Sequence, residues 1–181
     1  MILAAPGEII QFWREAGSDK WFAADEAFDR EIRARFLAAH EAAARDELAA
    51  WEERPQDALA LLILLDQFPR NIFRRSAHAF AADPLARRAA AKALAHGFDR
   101  ATDKALRLFF YLPFMHSEAL ADQDRSLLLF EALGDAEQLK YAVIHRDIIA
   151  RFGRFPHRNR VLGRVTTPEE QRFLDEGGFA G

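Results

Sequence analysis

Residues 58–71, ALALLILLDQFPRN, give the most direct indication of the fold of this chain. The first eight residues of the stretch are apolar without interruption, and a helix that is apolar on every side lies in a protein interior. Pro55 suits the first turn of that helix. Phe68 and Pro69 are expected to end it, because the residue before a proline avoids the helical conformation. The stretch therefore predicts a buried central helix with a polar turn, Asp66 to Asn71, at its end.

The composition of the whole chain favours helices in the same way. The 181 residues include 35 Ala and 21 Leu, but only 3 Val and 3 Thr. Alanine and leucine favour helices, whereas β-branched residues favour strands. We expect an all-α fold of about eight or nine short helices packed as helical hairpins. The length suits one domain over residues 1–181, with no linker or low-complexity tract.

Capping residues predict several helix boundaries. A long helix is expected over residues 25–51, with apolar residues every fourth position from Phe28. Asp135 is expected to cap a helix that Gly153 ends. Thr167 to Glu170 has the pattern of a capping box, with proline at its first helical position.

The sequence also limits which bonds, metal sites and cellular locations we expect for the protein. It has no cysteine, so disulfides and thiolate zinc sites are excluded. Its longest apolar runs have eight residues, whereas a membrane helix needs about 20. The first residues lack the basic and apolar regions of a signal peptide. We therefore expect a cytoplasmic protein without a membrane segment.

Three short polar motifs are candidates for function, and the first follows the apolar run. Asp66, Gln67, Arg70 and Asn71 stand where a buried helix is expected to end. They are candidate ligand-binding residues, because polar groups at the edge of a core have defined partners. The alternative is structural: Asp66 pairs with an arginine and fixes how two helices meet.

The second motif is residues 111–118, YLPFMHSE. A histidine beside a carboxylate can act as a general base or an oriented acid, so His116 and Glu118 are the candidate catalytic residues. Positions two residues apart face different sides of a regular helix, and convergence therefore requires a turn at this place. The alternative is a histidine hydrogen-bonded within the core.

The third motif lies in a run of five arginines without an acidic residue, residues 151–164. Arg154, His157 and Arg158 stand near Gly153 and Pro156, which break the helix, and arginine suits phosphate or carboxylate. The net charge of −3 makes nucleic acid an unlikely partner. The alternative is that these arginines cap helix ends and pair with nearby carboxylates.

Metal binding has little support in the spacing of the possible ligands. None shows the close helical spacing of a known metal site, so we expect no metal and no cofactor. The possible ligands are His116, Glu118, His145, Asp147 and His157.

Taken together, the three motifs resemble those of the uncharacterised bacterial "domain of unknown function 924" family. Trp21 with Phe22 and the capping box at Thr167 support the resemblance, which covers nearly the whole chain. It implies a tetratricopeptide-like helical fold and carries no reaction with it. The recurrent pattern of a 34-residue tetratricopeptide array is not found in the sequence.

Three hypotheses about function remain open at this point. In the first, an arginine-lined groove of the first and third motifs holds a small anion or an acidic peptide. In the second, the same pocket is an active site, with His116 and Glu118 as acid and base on an anionic substrate. In the third, the motifs only lock helix ends, and the protein is an interaction scaffold with a protein partner.

Overall fold

The computed structural model describes residues 3–179, and these residues form helices and connecting turns without a β-strand. The all-α prediction is confirmed. None of the helices in this part of the chain has the length and apolarity that crossing a membrane requires. The α-helices are α1 Pro6–Ala16, α2 Ser18–Trp21, α3 Glu26–Ala44, α4 Pro55–Leu62, α5 Phe68–Ile72, α6 Asp83–Ala95, α7 Lys104–Arg107, α8 Leu112–Met115, α9 Leu120–Leu133, α10 Ala136–Phe152 and α11 Pro168–Asp175. Short 3-10 turns lie at Ala49–Glu53, Ala77–Phe80, Leu108–Phe110 and Pro156–Arg158.

The chain divides into two compact units. The first unit contains Met1–Arg74 and His78–Pro113, and the second contains Arg75–Ala77 and Phe114–Gly181. The expectation of one domain stays a prediction.

The first unit is built around α4, as the apolar run predicts. Every residue from Ala58 to Leu65 is buried, and α4 packs against α1 and α6. Aromatic rings fill the adjoining core. The ring centroids of Phe36 and Phe68 are 4.9 Å apart, and those of Trp13 and Phe68 are 5.5 Å apart. Such aromatic pairs add to the stabilisation that burial provides.

The prediction that this helix ends at Phe68 and Pro69 is wrong. The chain passes from α4 through one π-helical turn, Ile63–Gln67, directly into α5. In this turn the Phe68 N–H bonds to the Ile63 carbonyl oxygen, five residues back. Proline has no N–H and interrupts the four-residue ladder. The wider turn absorbs that interruption, and Asp66 and Gln67 lie within it.

The long helix predicted over residues 25–51 is shorter than expected. Asp25 caps it by accepting from the N–H groups of Ala27 and Phe28, but α3 ends at Ala44. Asp46 then adopts a φ of 62°, in the left-handed region that ends a helix. The apolar residues near Trp51 belong to the 3-10 turn Ala49–Glu53 instead.

The second unit contains a helical hairpin of α9 and α10. Gly134 ends α9 in the left-handed conformation, at φ 69°, and Asp135 caps α10 by accepting from the N–H groups of Glu137 and Gln138. The two helices pack along each other. The predicted capping box starts α11, because the Thr167 side chain and the Glu170 side chain each accept from the other's backbone N–H.

Candidate functional site

The first motif is buried in the first unit, and its charged groups pair within the chain. Asp66 is 1% exposed. Arg70 Nη1 lies 3.4 Å from Asp66 Oδ1 and 3.2 Å from Asp83 Oδ1, and it also donates to the Asp66 carbonyl oxygen. Burial lowers the pKa of Arg70, but the two carboxylates outweigh burial and hold that pKa above its usual value. Arg70 therefore neutralises two buried carboxylates, as the structural alternative requires.

The amides of this motif also bond to neighbouring side chains. Gln67 Nε2 donates to Asp66 Oδ2, and Asn71 Nδ2 donates to Asp29 Oδ1 at 2.8 Å. The Arg74 guanidinium holds the same Asp29 carboxylate at 2.6 and 2.9 Å. The motif is therefore an internal hydrogen-bond network that joins α5 to α3.

In the second unit, Glu118 connects the second motif to the third. Its carboxylate accepts from Arg164 at 2.7 and 3.0 Å and from the Phe155 backbone N–H at 2.8 Å. Burial raises the pKa of Glu118, but the bonds from Arg164 and Phe155 outweigh burial, so its pKa lies below its usual value. An ionised carboxylate with both oxygens engaged acts as an anchor for the loop after α10. The catalytic assignment of His116 and Glu118 stays a prediction.

Arg154 of the third motif also has an internal carboxylate partner. Its Nε and Nη2 bond to the two oxygens of Glu170 at 2.6 and 2.9 Å. Glu170 is 2% exposed, and Asn159 Nδ2 donates to it at 3.2 Å. The bond from Arg154 is the main cause that lowers the pKa of Glu170 to about 2. Bidentate pairing of this kind is the strong form of an arginine–carboxylate contact.

The acid-free run of arginines is therefore largely matched by carboxylates from elsewhere in the second unit. Arg151 pairs with Glu169 at 2.9 Å, in addition to the pairs of Arg154 and Arg164. Arg158 is buried, with its guanidinium carbon 4.4 Å from the centroid of the Phe155 ring. These contacts favour the structural alternative for the run. Its proposed role as an anion groove stays untested.

Three histidines and two phenylalanines form a second polar region of this unit. His145 is central: its ring centroid lies 6.3 Å from His116, 5.4 Å from Phe155 and 4.5 Å from Phe179. His157 lies 5.6 Å from Phe155 and 5.7 Å from Phe179. We call these five residues the histidine cluster. Motifs that are separate in sequence contribute to it together.

The environment of the cluster keeps two of its histidines neutral. Burial, followed by the nearby His116, lowers the pKa of His145 to about 3. Burial, followed by the nearby Arg158, lowers the pKa of His157 to about 4. His145 Nδ1 lies 2.8 Å from the Tyr141 carbonyl oxygen, so this nitrogen carries the proton and donates. Within residues 3–179, no group of three or more histidine or acidic side chains is arranged to hold a metal ion.

The first unit also contains a cavity that no sequence motif marks. It is open to solvent, has a volume of about 600 Å³ and is bordered by His40, Phe73 and His78 together with alanine side chains. His40 is 5% exposed, and its Nδ1 lies 2.8 Å from the Leu64 carbonyl oxygen. Burial lowers the pKa of His40 despite that bond, which acts in the opposite direction. The cavity therefore has a neutral histidine in its wall.

Sequence reasoning missed several residues that organise these regions. Gln123 is fully buried, and its Nε2 donates to the carbonyl oxygens of Met115 and Ser117 at 2.7 and 2.6 Å. It thereby supports the turn that carries His116. Arg164 belongs to the arginine run and Glu170 to the capping box, but their ion-pair partners are distant in sequence. His40 had no signal, because it is one polar residue on a helix predicted to be amphipathic.

These contacts define an all-helical protein in which most polar side chains of the motifs bond to other residues of the same unit. The chain belongs to the family described as bacterial protein of unknown function (DUF924), whose sequence profile matches residues 9–178. The family resemblance predicted from the motifs is confirmed, while the tetratricopeptide-like arrangement stays a prediction. The chain is similar to a solved protein of unknown function from Agrobacterium tumefaciens, with 53% identity and a TM-score of 0.92. That match covers 95% of this chain and 97% of the other. No curated protein matches.

Proposed function

We propose that this protein binds a small organic molecule in the cavity of the first unit. The observation that carries the proposal is a volume of about 600 Å³ beside a neutral, oriented histidine. Small-molecule sites usually occupy about 300–1,000 Å³, with mostly apolar walls and a few placed polar groups. Most of the motif residues, in contrast, already bond to partners within the chain.

The wall of the cavity has the composition that such a site requires. Phe73 and the alanines at positions 44, 81 and 82 supply apolar surface, and His40 supplies a polar group in a fixed orientation. Glu41 and Arg45 add one charge of each sign at the same wall. A binding protein and an enzyme both use this arrangement, so binding is the function proposed.

The first experiment measures binding of a fragment library by ligand-observed NMR, followed by a blocked variant. Ala44 is exposed and borders the cavity, so Ala44→Phe places a ring over the space without entering the core. Ala34→Phe is the matched control, because Ala34 is an exposed residue of the same helix, α3, outside the cavity wall. We expect fragments that bind the natural protein to bind Ala34→Phe and to lose affinity for Ala44→Phe. Binding that survives Ala44→Phe unchanged, or a library without a single hit, contradicts the proposal.

A second candidate is anion binding at the histidine cluster. His157 Nδ1 is buried without a hydrogen-bond partner, and Arg158 and His116 both contribute to the lowered pKa of this histidine. A phosphate or carboxylate near His157 would reduce that repulsion and raise its pKa. An NMR titration of the His157 ring against inorganic phosphate tests this candidate, with chloride at equal ionic strength as the control. A pKa of His157 that does not move with phosphate contradicts it.

We also propose that the protein is cytoplasmic and has a protein partner, as an interaction module would. Cell fractionation of the natural host tests the location, and recovery of the protein from the membrane or external fraction contradicts it.

A further inference from the structure

We infer that the cavity of the first unit selects a flat aromatic molecule that donates an N–H or O–H hydrogen bond to Nε2 of His40. The inference rests on the proposed function and names the chemical class of its ligand. It depends on three observations: the hydrogen bond of His40, the rings around Phe73, and the charges at the cavity wall.

The hydrogen bond of His40 fixes which nitrogen can accept. Nδ1 lies 2.8 Å from the Leu64 carbonyl oxygen, and a carbonyl oxygen only accepts, so Nδ1 carries the proton. A neutral imidazole has one N–H, and its other nitrogen therefore holds a lone pair. The lowered pKa of His40 agrees with the neutral form. A ligand that reaches Nε2 must consequently bring a donor.

The rings around Phe73 favour a flat partner. The Phe73 ring centroid lies 5.5 Å from the His40 ring and 5.6 Å from the His78 ring. The Arg33 guanidinium carbon lies 5.7 Å from the centroid of the same ring. The other apolar lining is alanine, which leaves room beside these rings. Aromatic surfaces of this kind bind another ring by stacked or edge-to-face contact.

The charges at the cavity wall disfavour an acidic ligand. Arg45 is one of the lining residues, but its Nε and Nη2 bond to the Glu47 carboxylate at 2.7 and 2.9 Å. Glu41 adds a carboxylate to the same wall. Because Arg45 is already paired with Glu47 and Glu41 adds a negative charge to the lining, a neutral or weakly basic ring suits the cavity better than an anion.

The test uses two isomers that differ in the donor. 3-Methylindole carries a ring N–H, and in 1-methylindole the methyl group replaces that hydrogen. We expect 3-methylindole to bind the natural protein at least about tenfold more tightly, since tenfold corresponds to about 1.4 kcal/mol, the size of one hydrogen bond. Titrations followed by NMR give both dissociation constants.

A variant and a direct readout complete the experiment. His40→Phe keeps a ring but removes the acceptor, so we expect it to bind the two isomers equally. In the natural protein, the ¹⁵N signal of His40 Nε2 should move with 3-methylindole and stay in place with 1-methylindole. This readout needs no substitution, so it holds even if His40→Phe fails to fold.

The outcomes separate the two proposals. Equal binding of both isomers, or a ¹⁵N signal of His40 Nε2 that does not move with 3-methylindole, overturns the inference. It leaves a cavity that binds by shape alone. A preference for 3-methylindole that persists in His40→Phe also overturns it. A fragment library that yields no ligand at all overturns the proposed function itself.

Discussion

His40 in the first unit and His145 in the second are alike in their hydrogen bonding but differ in what surrounds the ring. Both are buried, and both donate from Nδ1 to a backbone carbonyl oxygen at 2.8 Å. His145 lies against the rings of Phe155 and Phe179, whereas His40 borders a cavity of about 600 Å³. The same local chemistry therefore belongs to a packed region in one unit and to an open one in the other.

The comparison teaches which buried polar groups indicate a binding site. A neutral histidine with one nitrogen engaged is common to both units, so burial and a lowered pKa do not distinguish them. The cavity that His40 borders does. Polar groups whose partners all come from the chain hold the fold, and a polar group that faces a cavity is available to a ligand.

Replacing Arg70 tests whether a polar group with partners inside the chain stabilises the fold. It should have the largest effect on the free energy of unfolding. Arg70→Ala leaves Asp66 and Asp83 buried without their guanidinium, and breaking a buried pair costs about 3 kcal/mol or more. Urea unfolding followed by circular dichroism measures the loss. Arg14→Ala is the control, because the pair of Arg14 with Asp103 is mostly exposed, with side chains 54% and 64% accessible. Equal stability of the two variants contradicts the structural role of Arg70.

Local sequence signals predicted the caps of this fold well. Gly134 and Asp135 mark the turn between α9 and α10, and Thr167 with Glu170 forms the capping box. These features depend on residues within four positions of each other. The helix end predicted at Pro69 is wrong because the chain passes through a π-helical turn there, which the local rule for proline does not contain.

The site was harder to predict because its contacts are distant in sequence. Glu118 and Arg164 are 46 residues apart, and Arg154 and Glu170 are 16 apart. The acid-free run of arginines gives no indication of which carboxylate each arginine meets. His40 shows the limit most clearly, since its acceptor, the carbonyl oxygen of Leu64, is 24 residues away and carries no side-chain signal.

The packed histidine should make stability depend on pH, with an effect somewhat smaller than that of Arg70→Ala. The folded pKa of His145, about 3, lies below the ordinary value of 6.5. The unfolded chain therefore binds a proton first as the pH falls, and stability is present above pH 6.5 and lost below it. From pH 7 to pH 5, His145 alone should lower the free energy of unfolding by about 2 kcal/mol.

A ring without a proton-binding site isolates this contribution. His145→Phe keeps an aromatic ring against Phe155 and Phe179. Between pH 7 and pH 5, we expect its free energy of unfolding to change by about 2 kcal/mol less than that of the natural protein. Working above pH 5 keeps the contribution of Glu170 small, because its carboxylate has a pKa of about 2 in the folded chain and an ordinary value of 4.5 in the unfolded chain. An unchanged pH dependence in His145→Phe contradicts the account of His145 as a buried neutral group.

The smallest effect concerns the histidine beside the cavity and is visible only in ligand binding. Protonation of His40 fills the Nε2 lone pair, so affinity for 3-methylindole should weaken as the pH falls through the pKa of His40. Because burial lowers that pKa, the weakening should begin below the usual range of histidine. The loss is at most about tenfold per pH unit, which is about 1.4 kcal/mol.

Other groups at the same wall must be separated from His40 in that titration. Glu41, Arg45 and His78 also border the cavity, and protonation of Glu41 or His78 would alter the binding of any ring. 1-Methylindole is the control for these groups, because it contacts the same wall but donates no hydrogen bond to Nε2. A parallel loss of affinity for the two isomers would assign the pH dependence to Glu41 or His78. A loss confined to 3-methylindole, and absent from His40→Phe, would assign it to Nε2 of His40, the histidine that borders the cavity.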